Sequence, residues 1–279
     1  MRARRGFVAA VASVLLTAAC GGGPTAVTVV AGSPSRTASA RTARVSSVVR
    51  ITGSSGPLTA GRSLQADGSV DFASRQATFR VTTETGSIDA VIDGAVVYER
   101  IPQLAPAVGR KTWLKIDFRT AGQLAGVPGV SSVLESQPSD PSQTLSYLRG
   151  ASGPMTTLGH ARVRGVATTH YRVPVDLNRA AASLGPDQQA ALRQEIDELG
   201  LKTTFPMEVW IDGQGRVRRM HLVQDYSQVN PPPNVPRGSP SSSVEQTMEL
   251  FDFGAPVTVQ PPPADQVTDI SALVNRSHS

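Results

Sequence analysis

Residues 64–72, Leu64-Gln65-Ala66-Asp67-Gly68-Ser69-Val70-Asp71-Phe72, contain the pattern that decides the fold class of this chain. Apolar or small side chains alternate with polar ones along the whole stretch, which is the period of a β-strand with one buried face. Ala77, Phe79 and Val81 resume the alternation after a short link at residues 73–75. The two segments therefore predict a β-hairpin.

Similar strand patterns recur along the rest of the chain. Asp93-Gly94 lies between the apolar runs 88–92 and 95–101, and this dipeptide is the strongest short-range hairpin signal. Further strands are expected at residues 111–118, 161–164, 168–177, 207–211, 217–225 and 244–253. Helices are expected at residues 140–148, 185–200 and 264–273. Because the strands of the first half follow one another without helices, they predict an antiparallel sheet rather than α/β winding.

The N-terminus has the order of a bacterial secretory signal. Arg2, Arg4 and Arg5 precede the uncharged run 7–19, which ends directly before Cys20. Leu16-Thr17-Ala18-Ala19-Cys20 resembles the lipobox of bacterial lipoproteins, in which the cysteine is acylated and becomes the mature N-terminus. We therefore predict lipidation of Cys20. The alternative is ordinary cleavage after Ala19, which would leave a free thiol. Export by the Sec or the twin-arginine route stays open.

These features predict three regions. Residues 1–19 are the signal peptide, and residues 20–41 are the lipidated N-terminus with a flexible tether, because this stretch is rich in Gly, Ser, Thr, Ala and Pro. Residues 42–279 are a single domain with a proline-rich loop at 228–240. An apolar run of 13 residues is too short for a membrane span, which takes about 20 residues. The expected location is the extracytoplasmic face of the cell membrane, held there by the lipid anchor.

Charge and motif content exclude two broad classes of function. The net charge is +5, and the three signal arginines account for most of it, so the mature chain has too little positive charge for a nucleic-acid binder. The four histidines, His160, His170, His221 and His278, show no metal-ligand spacing, and no G-x-S-x-G motif is present. His170 could form a dyad with Asp176 or Asp225, but a polar residue on a solvent-facing sheet surface is the favoured interpretation. We expect no enzyme, no catalytic residues, no metal and no cofactor.

Several short motifs resemble one family of bacterial lipoproteins. They are Lys111-Thr112-Trp113-Leu114-Lys115-Ile116, Thr168-Thr169-His170-Tyr171 with Val175-Asp176-Leu177, Val209-Trp210-Ile211-Asp212-Gly213 and Phe251-Asp252-Phe253-Gly254-Ala255-Pro256-Val257. Together with the lipobox, they resemble actinobacterial lipoproteins of the LppX/LprG type over most of residues 42–270. That family is similar in fold to the lipoprotein carrier LolA. The resemblance implies an α+β fold in which a large curved antiparallel sheet, a half-barrel, has a few helices covering its concave face.

The same resemblance implies a function in lipid binding. The characterised members of that family hold the acyl chains of lipids or glycolipids in an apolar cavity. The resemblance therefore implies lipid transport or chaperoning by this chain. The expected partners are the membrane and envelope transporters. Ordinary core positions are the alternative for each of the candidate lining residues. The candidates are Val70, Phe72, Phe79, Val81, Val91, Val97, Trp113, Met207 and Val209. A non-enzymatic cell-envelope sensor or protein-interaction module is the alternative function.

Overall fold

Twelve strands and three short helices make up the part of the chain that the computed structural model describes. That part consists of residues 25–52, 62–83, 86–100, 111–117, 141–182, 189, 193, 203–225 and 243–269. The predicted signal peptide, Cys20 and the proline-rich loop at 228–240 lie outside the described residues. So does the helix expected at 185–200, apart from Gln189 and Arg193, which are helical.

The strands form one open sheet. They are β1 (Thr42–Thr52), β2 (Arg62–Asp71), β3 (Gln76–Thr83), β4 (Gly86–Asp93), β5 (Val96–Arg100), β6 (Trp113–Asp117), β7 (Thr156–Val163), β8 (Val166–Asp176), β9 (Thr204–Asp212), β10 (Val217–Asp225), β11 (Ser243–Phe251) and β12 (Val267–Asp269). Their order in the sheet is β12-β6-β5-β4-β3-β2-β1-β11-β10-β9-β8-β7. Since β12 and β7 lie at opposite edges and do not pair, the sheet is not closed into a barrel.

Three α-helices have both ends within the described residues. They are α1 (Ala26–Ala38), α2 (Pro141–Tyr147), which continues into a 3₁₀ turn at Leu148–Gly150, and α3 (Leu177–Ala181). The Asp176 carboxylate caps α3, because its Oδ1 accepts hydrogen bonds from the backbone N–H groups of Asn178 and Arg179. The predicted α+β fold, with a large sheet and a few helices, is confirmed.

The hairpins expected from turn chemistry are also present. β2 pairs with β3 and β4 with β5, each pair antiparallel. At the β2–β3 turn, Asp71 Oδ1 accepts from the N–H groups of Ala73 and Ser74, and Arg75 takes a positive φ of 57°. At the β4–β5 turn, Gly94 has φ 63°, a conformation that glycine adopts without steric cost. Local sequence therefore specifies these strand pairs.

The predicted flexible tether is wrong over most of its length, because Ala26–Ala38 form α1. Val30, Ser33, Pro34 and Thr37 are buried, and their spacing places them on one face of the helix. Val30 belongs to the same hydrophobic cluster as residues of β9 and β10. The physical reason is tertiary packing, which overrides the weak helix propensity of a stretch rich in Gly, Ser, Thr and Pro.

Pro34 shows how this helix accommodates a residue that normally breaks helices. Proline has no N–H to donate to the carbonyl four residues earlier, which is that of Val30. The Ser33 hydroxyl donates to the Val30 carbonyl instead, at 2.7 Å. At the C-terminal end, the Thr37 hydroxyl donates to the Ser33 carbonyl at 2.7 Å and accepts from the Val217 N–H at 2.9 Å. Thr37 therefore joins α1 to the first residue of β10.

Replacing Thr37 with valine should lower the free energy of unfolding by about 2 kcal/mol, since a buried N–H left without its acceptor costs about 1–3 kcal/mol. Thr37 is fully buried, so water cannot replace the lost acceptor. Urea unfolding of the full chain would measure the loss. Thr37→Ser keeps the hydroxyl and should recover most of the stability. A valine variant as stable as the wild type would contradict the assigned link between α1 and β10.

The helix expected at residues 264–273 is wrong over its described part. Ala264–Gln266 form a single 3₁₀ turn, and β12 follows. β12 pairs with β6 in parallel, so the sheet is mixed at this edge rather than wholly antiparallel. The Thr112 N–H donates to the Gln266 carbonyl, and Lys115 Nζ lies 2.7 Å from Asp269 Oδ2. Pairing with the edge of β6 and the ion pair between Lys115 and Asp269 stabilise the extended conformation here. Val267 and Thr268 also favour a strand because they are β-branched.

Candidate functional site

The candidate site is the inner face of the sheet, defined as the face that carries the core side chains of β1–β11. The pairing register keeps these side chains on one side from strand to strand. Gly68 lies opposite Val45 on β1 and Phe79 on β3, and Ala90 on β4 lies opposite Phe79 and Glu99. In the other direction, Val45 lies opposite Leu250 on β11. The result is a continuous and mostly apolar surface across the sheet.

Most of the predicted lining residues lie on this inner face. Six of them are buried members of the hydrophobic cluster, and Phe72 packs against that cluster while partly exposed. The six are Val70, Phe79, Val81, Val97, Met207 and Val209. Strand alternation places Val91 and Trp113 on the opposite face, next in sequence to the inner-face residues Ala90 and Leu114. These two residues are therefore not brought together with the other seven.

A layer of helices lies over the part of the inner face formed by β8–β10. Val30 of α1, Leu145 of α2 and Leu177 of α3 belong to the same hydrophobic cluster as Val173, Met207 and Met220 of the sheet. Tyr147 of α2 packs edge-on against Phe205 of β9, with ring centroids 6.1 Å apart. Because apolar side chains face each other from both layers, this end of the molecule has a packed core.

Glu99 is a buried ionisable residue on the mostly apolar inner face. It lies on β5 opposite Ala90 and Leu114, and its relative exposure is 0%. Burial penalises the charged form and raises the pKa of the Glu99 carboxyl to about 7. This carboxyl can therefore change its protonation state near neutral pH.

The opposite side of the sheet, the outer face, carries an array of charged and aromatic residues over β7–β11. We call this array the outer network; it consists of Arg164, His170, Arg172, Glu208, Trp210, Arg219 and Glu249. The His170 ring stacks on Trp210 at a centroid distance of 3.9 Å, and its Nε2 lies 2.9 Å from Glu208 Oε2. Arg219 lies 5.3 Å from the centre of the Trp210 ring.

The carboxylates of the outer network are paired with arginines. Arg172 donates to Glu208 at 2.8 Å, while Arg164 and Arg219 donate to the two oxygens of Glu249 at 2.7 and 2.6 Å. Burial opposes the ionisation of both carboxyls, but these hydrogen bonds outweigh it and lower their pKa values. The network therefore links β8 and the β7–β8 turn to β9–β11 through paired charges.

The dyad of His170 with Asp176 or Asp225, the less favoured interpretation of the sequence, does not form. His170 contacts Glu208, and Asp176 caps α3. His170 lies half-buried on the outer face, in agreement with the favoured interpretation. Among the described residues, no group of three or more His, Cys, Asp or Glu side chains is placed to hold a metal ion. In the same part of the chain, no helix has the length and apolar character needed to cross a bilayer.

Comparison with known proteins identifies one relative in sequence. No protein-family model matches the chain. It is 27% identical over 177 residues to an uncharacterised 31.2 kDa protein from the rplA–rplJ intergenic region of Streptomyces griseus. The match covers 62% of this chain and 53% of that protein, so the chain spans about half the length of this relative.

Among solved structures, the chain is similar to two mycobacterial proteins. The lipoprotein LppX of Mycobacterium tuberculosis matches with a TM-score of 0.45 and 15% identity, over 83% of this chain and 98% of LppX. LprF of Mycobacterium bovis matches with a TM-score of 0.43 and 14% identity, over 85% of this chain and 97% of LprF.

Sequence reasoning missed Glu99 as a notable residue of the inner face. The signal was present, because Glu99 follows the buried Val97 by two residues and so shares its face in a strand. Sequence reasoning also missed a cleft beside β7, lined in part by His160 and Arg162. The predicted strand at 161–164 begins after His160, whereas β7 extends back to Thr156. The pairing that brings the cleft residues together could not be read from the sequence.

Proposed function

We propose that this chain is an extracytoplasmic, membrane-anchored lipoprotein whose inner sheet face binds the acyl chains of a lipid or glycolipid, for transport or chaperoning. The observation that carries the proposal is the continuous apolar inner face of an open sheet, on which most of the predicted lining residues lie. The lipobox-like sequence ending at Cys20 supports a location at the membrane surface.

The physical basis is the burial of apolar surface. Moving an acyl chain through water exposes apolar area worth about 25 cal/mol per Å², so a carrier must shelter that area. Aliphatic side chains on one face of a sheet can supply such a lining without charged catalytic groups. This requirement fits the side chains of Val70, Val81 and Val97, which are buried on the inner face.

The lipid load of the full chain tests the proposal. The protein is produced with its own signal in an actinobacterial host, extracted in mild detergent and examined by native mass spectrometry. We expect about one acyl lipid bound per folded chain. A folded chain that carries no lipid and takes none up from vesicles would contradict the proposal.

A matched pair of variants separates inner-face binding from lipid that adheres elsewhere. Val81 and Val91 are both buried, but Val81 lies on the inner face and Val91 on the outer face. Val81→Phe should reduce the lipid load several-fold by filling space on the inner face, whereas Val91→Phe should leave the load unchanged. Should Val81→Phe fail to fold, Val97→Phe tests the same face. Equal loads in the two variants would place the lipid away from the inner face.

A protein-interaction module is the second candidate function, and one observation favours it. Among the described strands, β7 lies at an edge of the sheet, and Leu158 on this strand is 39% exposed. An exposed edge strand with an apolar side chain can pair with a strand of another protein. Crosslinking in cells through a photoreactive residue at position 158 tests this function, and a single dominant protein partner would favour it over lipid binding.

A further inference from the structure

A cleft of about 480 Å³ lies beside β7, at the edge of the described sheet, and none of the predicted lipid-lining residues is among those that line it. Its walls come from β7, β8 and the end of β9 with the following turn. The lining residues are His160, Ala161, Arg162, Ala167, Thr168, Thr169, Ile211, Asp212 and Gly213. The volume is in the range of small-molecule sites, which is about 300–1,000 Å³.

The pairing register brings three polar side chains of the cleft, those of His160, Arg162 and Thr169, onto the inner face. His160 lies opposite Thr169, and Thr169 lies opposite Ile211, which belongs to the hydrophobic cluster. Arg162 lies two residues beyond His160 on the same strand and therefore on the same face. Residues directly opposite each other in an antiparallel pair have Cβ atoms about 4.5–5.5 Å apart. An imidazole, a hydroxyl and a guanidinium thus converge at the edge of an apolar surface.

The charge balance of the cleft is positive. Its one carboxylate, Asp212, is buried and accepts hydrogen bonds from the Arg216 backbone and from the side chains of Arg216 and Arg218. Burial opposes ionisation of Asp212, but these bonds outweigh it and lower its pKa, so two guanidinium groups compensate its negative charge. The carboxylate therefore does not neutralise Arg162.

Arg162 differs from the other arginines of β7–β10 and their turns. Arg164, Arg172, Arg216, Arg218 and Arg219 each pair with a carboxylate. Arg162 Nη1 donates a hydrogen bond to the Gly165 carbonyl at 2.7 Å. Within the described residues, no carboxylate pairs with Arg162. A guanidinium presents five N–H donors in a planar fork that suits the oxygens of a phosphate or carboxylate.

We propose that this cleft binds an anionic group, a phosphate monoester or diester or a carboxylate, through Arg162, His160 and Thr169. The group is the head of an amphiphile whose apolar part contacts Ile211, where the cleft meets the inner face. The identification of the ligand as an amphiphile rests on the proposed lipid-binding function, whereas the inference of an anion site does not.

Calorimetric titration of the full chain with three probes tests the proposal. The probes are dioctanoylphosphatidylglycerol, dioctanoylglycerol, which has the same chains without the phosphate, and inorganic phosphate. The wild type should bind the anionic lipid at least tenfold more tightly than the neutral one. Arg162→Gln should abolish this preference, and Arg162→Lys should retain part of it. Arg172→Gln is the matched control, because Arg172 lies on the neighbouring strand but on the outer face.

The outcomes separate this inference from the proposed function. Equal binding of both lipids, unchanged by Arg162→Gln, would overturn the anion site and leave lipid binding in place. Binding of phosphate that depends on Arg162, with neither lipid bound, would support the anion site and contradict lipid binding. Failure of both phosphate and the anionic lipid to bind would overturn the anion site.

Discussion

Replacing Gly68 with alanine should lower the free energy of unfolding by about 3 kcal/mol, at the upper end of the cost of overpacking a core. Gly68 lies on the inner face of β2 between Val45 and Phe79. A Cβ atom at this position would overlap the Thr78 carbonyl oxygen and lie 2.6 Å from Phe79 Cδ1. Because the first of these neighbours is backbone of the paired strand, the β2–β3 pair would have to separate. Urea unfolding of the full chain would measure the shift.

Gly213→Ala is the control for this substitution. A Cβ atom at Gly213 meets no heavy atom within 4 Å, and the residue does not take a positive φ. We expect a change of less than about 0.5 kcal/mol, as for most surface positions. Similar unfolding midpoints for the two variants would show that β2 and β3 do not pack as described.

Glu99→Gln should stabilise the protein at pH 8 by about 3 kcal/mol and change little near pH 4.5. The pKa of the Glu99 carboxyl rises from 4.5 to about 7 on folding because the group is buried. The folded state then binds the proton more tightly than the unfolded state, so wild-type stability falls as the pH rises from about 4.5 to 7. Each pKa unit corresponds to about 1.4 kcal/mol. Glutamine cannot ionise, so the variant does not lose this stability.

Urea unfolding at pH 5, 6, 7 and 8 would measure this effect. Four other carboxyls, those of Asp89, Glu208, Asp212 and Glu249, do not interfere in this range. Burial opposes their ionisation, but hydrogen bonds from arginines lower their pKa values, so their contributions to stability are lost only in more acidic solution. Glu245→Gln is a matched control on the outer face, where the Glu245 side chain is 39% exposed. This substitution should change the free energy of unfolding very little at any of these pH values. A difference between Glu99→Gln and the wild type that is independent of pH would contradict a buried carboxyl that titrates near neutrality.

The predictable part of the fold is the part specified by local sequence. Period-two alternation identifies β2 and β3, and Asp93-Gly94 identifies the β4–β5 turn, because strand period and turn chemistry act over only a few residues. The two wrong predictions concern α1 and β12. Each depends on a distant partner: α1 on the Val217 N–H, and β12 on the edge of β6. Neither partner is visible in the local pattern.

The candidate site was predictable to a similar extent. Alternation placed Val70, Phe79 and Val81 on a common face, and the register confirms that placement. It could not show that Val91 lies on the other face, because both Val91 and its neighbours Ala90 and Ile92 are apolar. The convergence of His160 and Arg162 with Ile211 requires the order β7-β8-β9, which no single strand encodes.

The packing of α1 changes how far the domain could move from a membrane. If Cys20 carries the predicted lipid, the packed domain begins at Thr25, which caps α1, and residues 21–24 are the whole connection. Four residues span at most about 14 Å when fully extended, whereas the 20-residue coil expected from composition would reach about 25 Å on average. Such a protein would lie close against its own bilayer and diffuse along it. If it also binds lipid as proposed, it would collect or deliver that lipid at one leaflet, and movement of the lipid across the envelope would require a second protein.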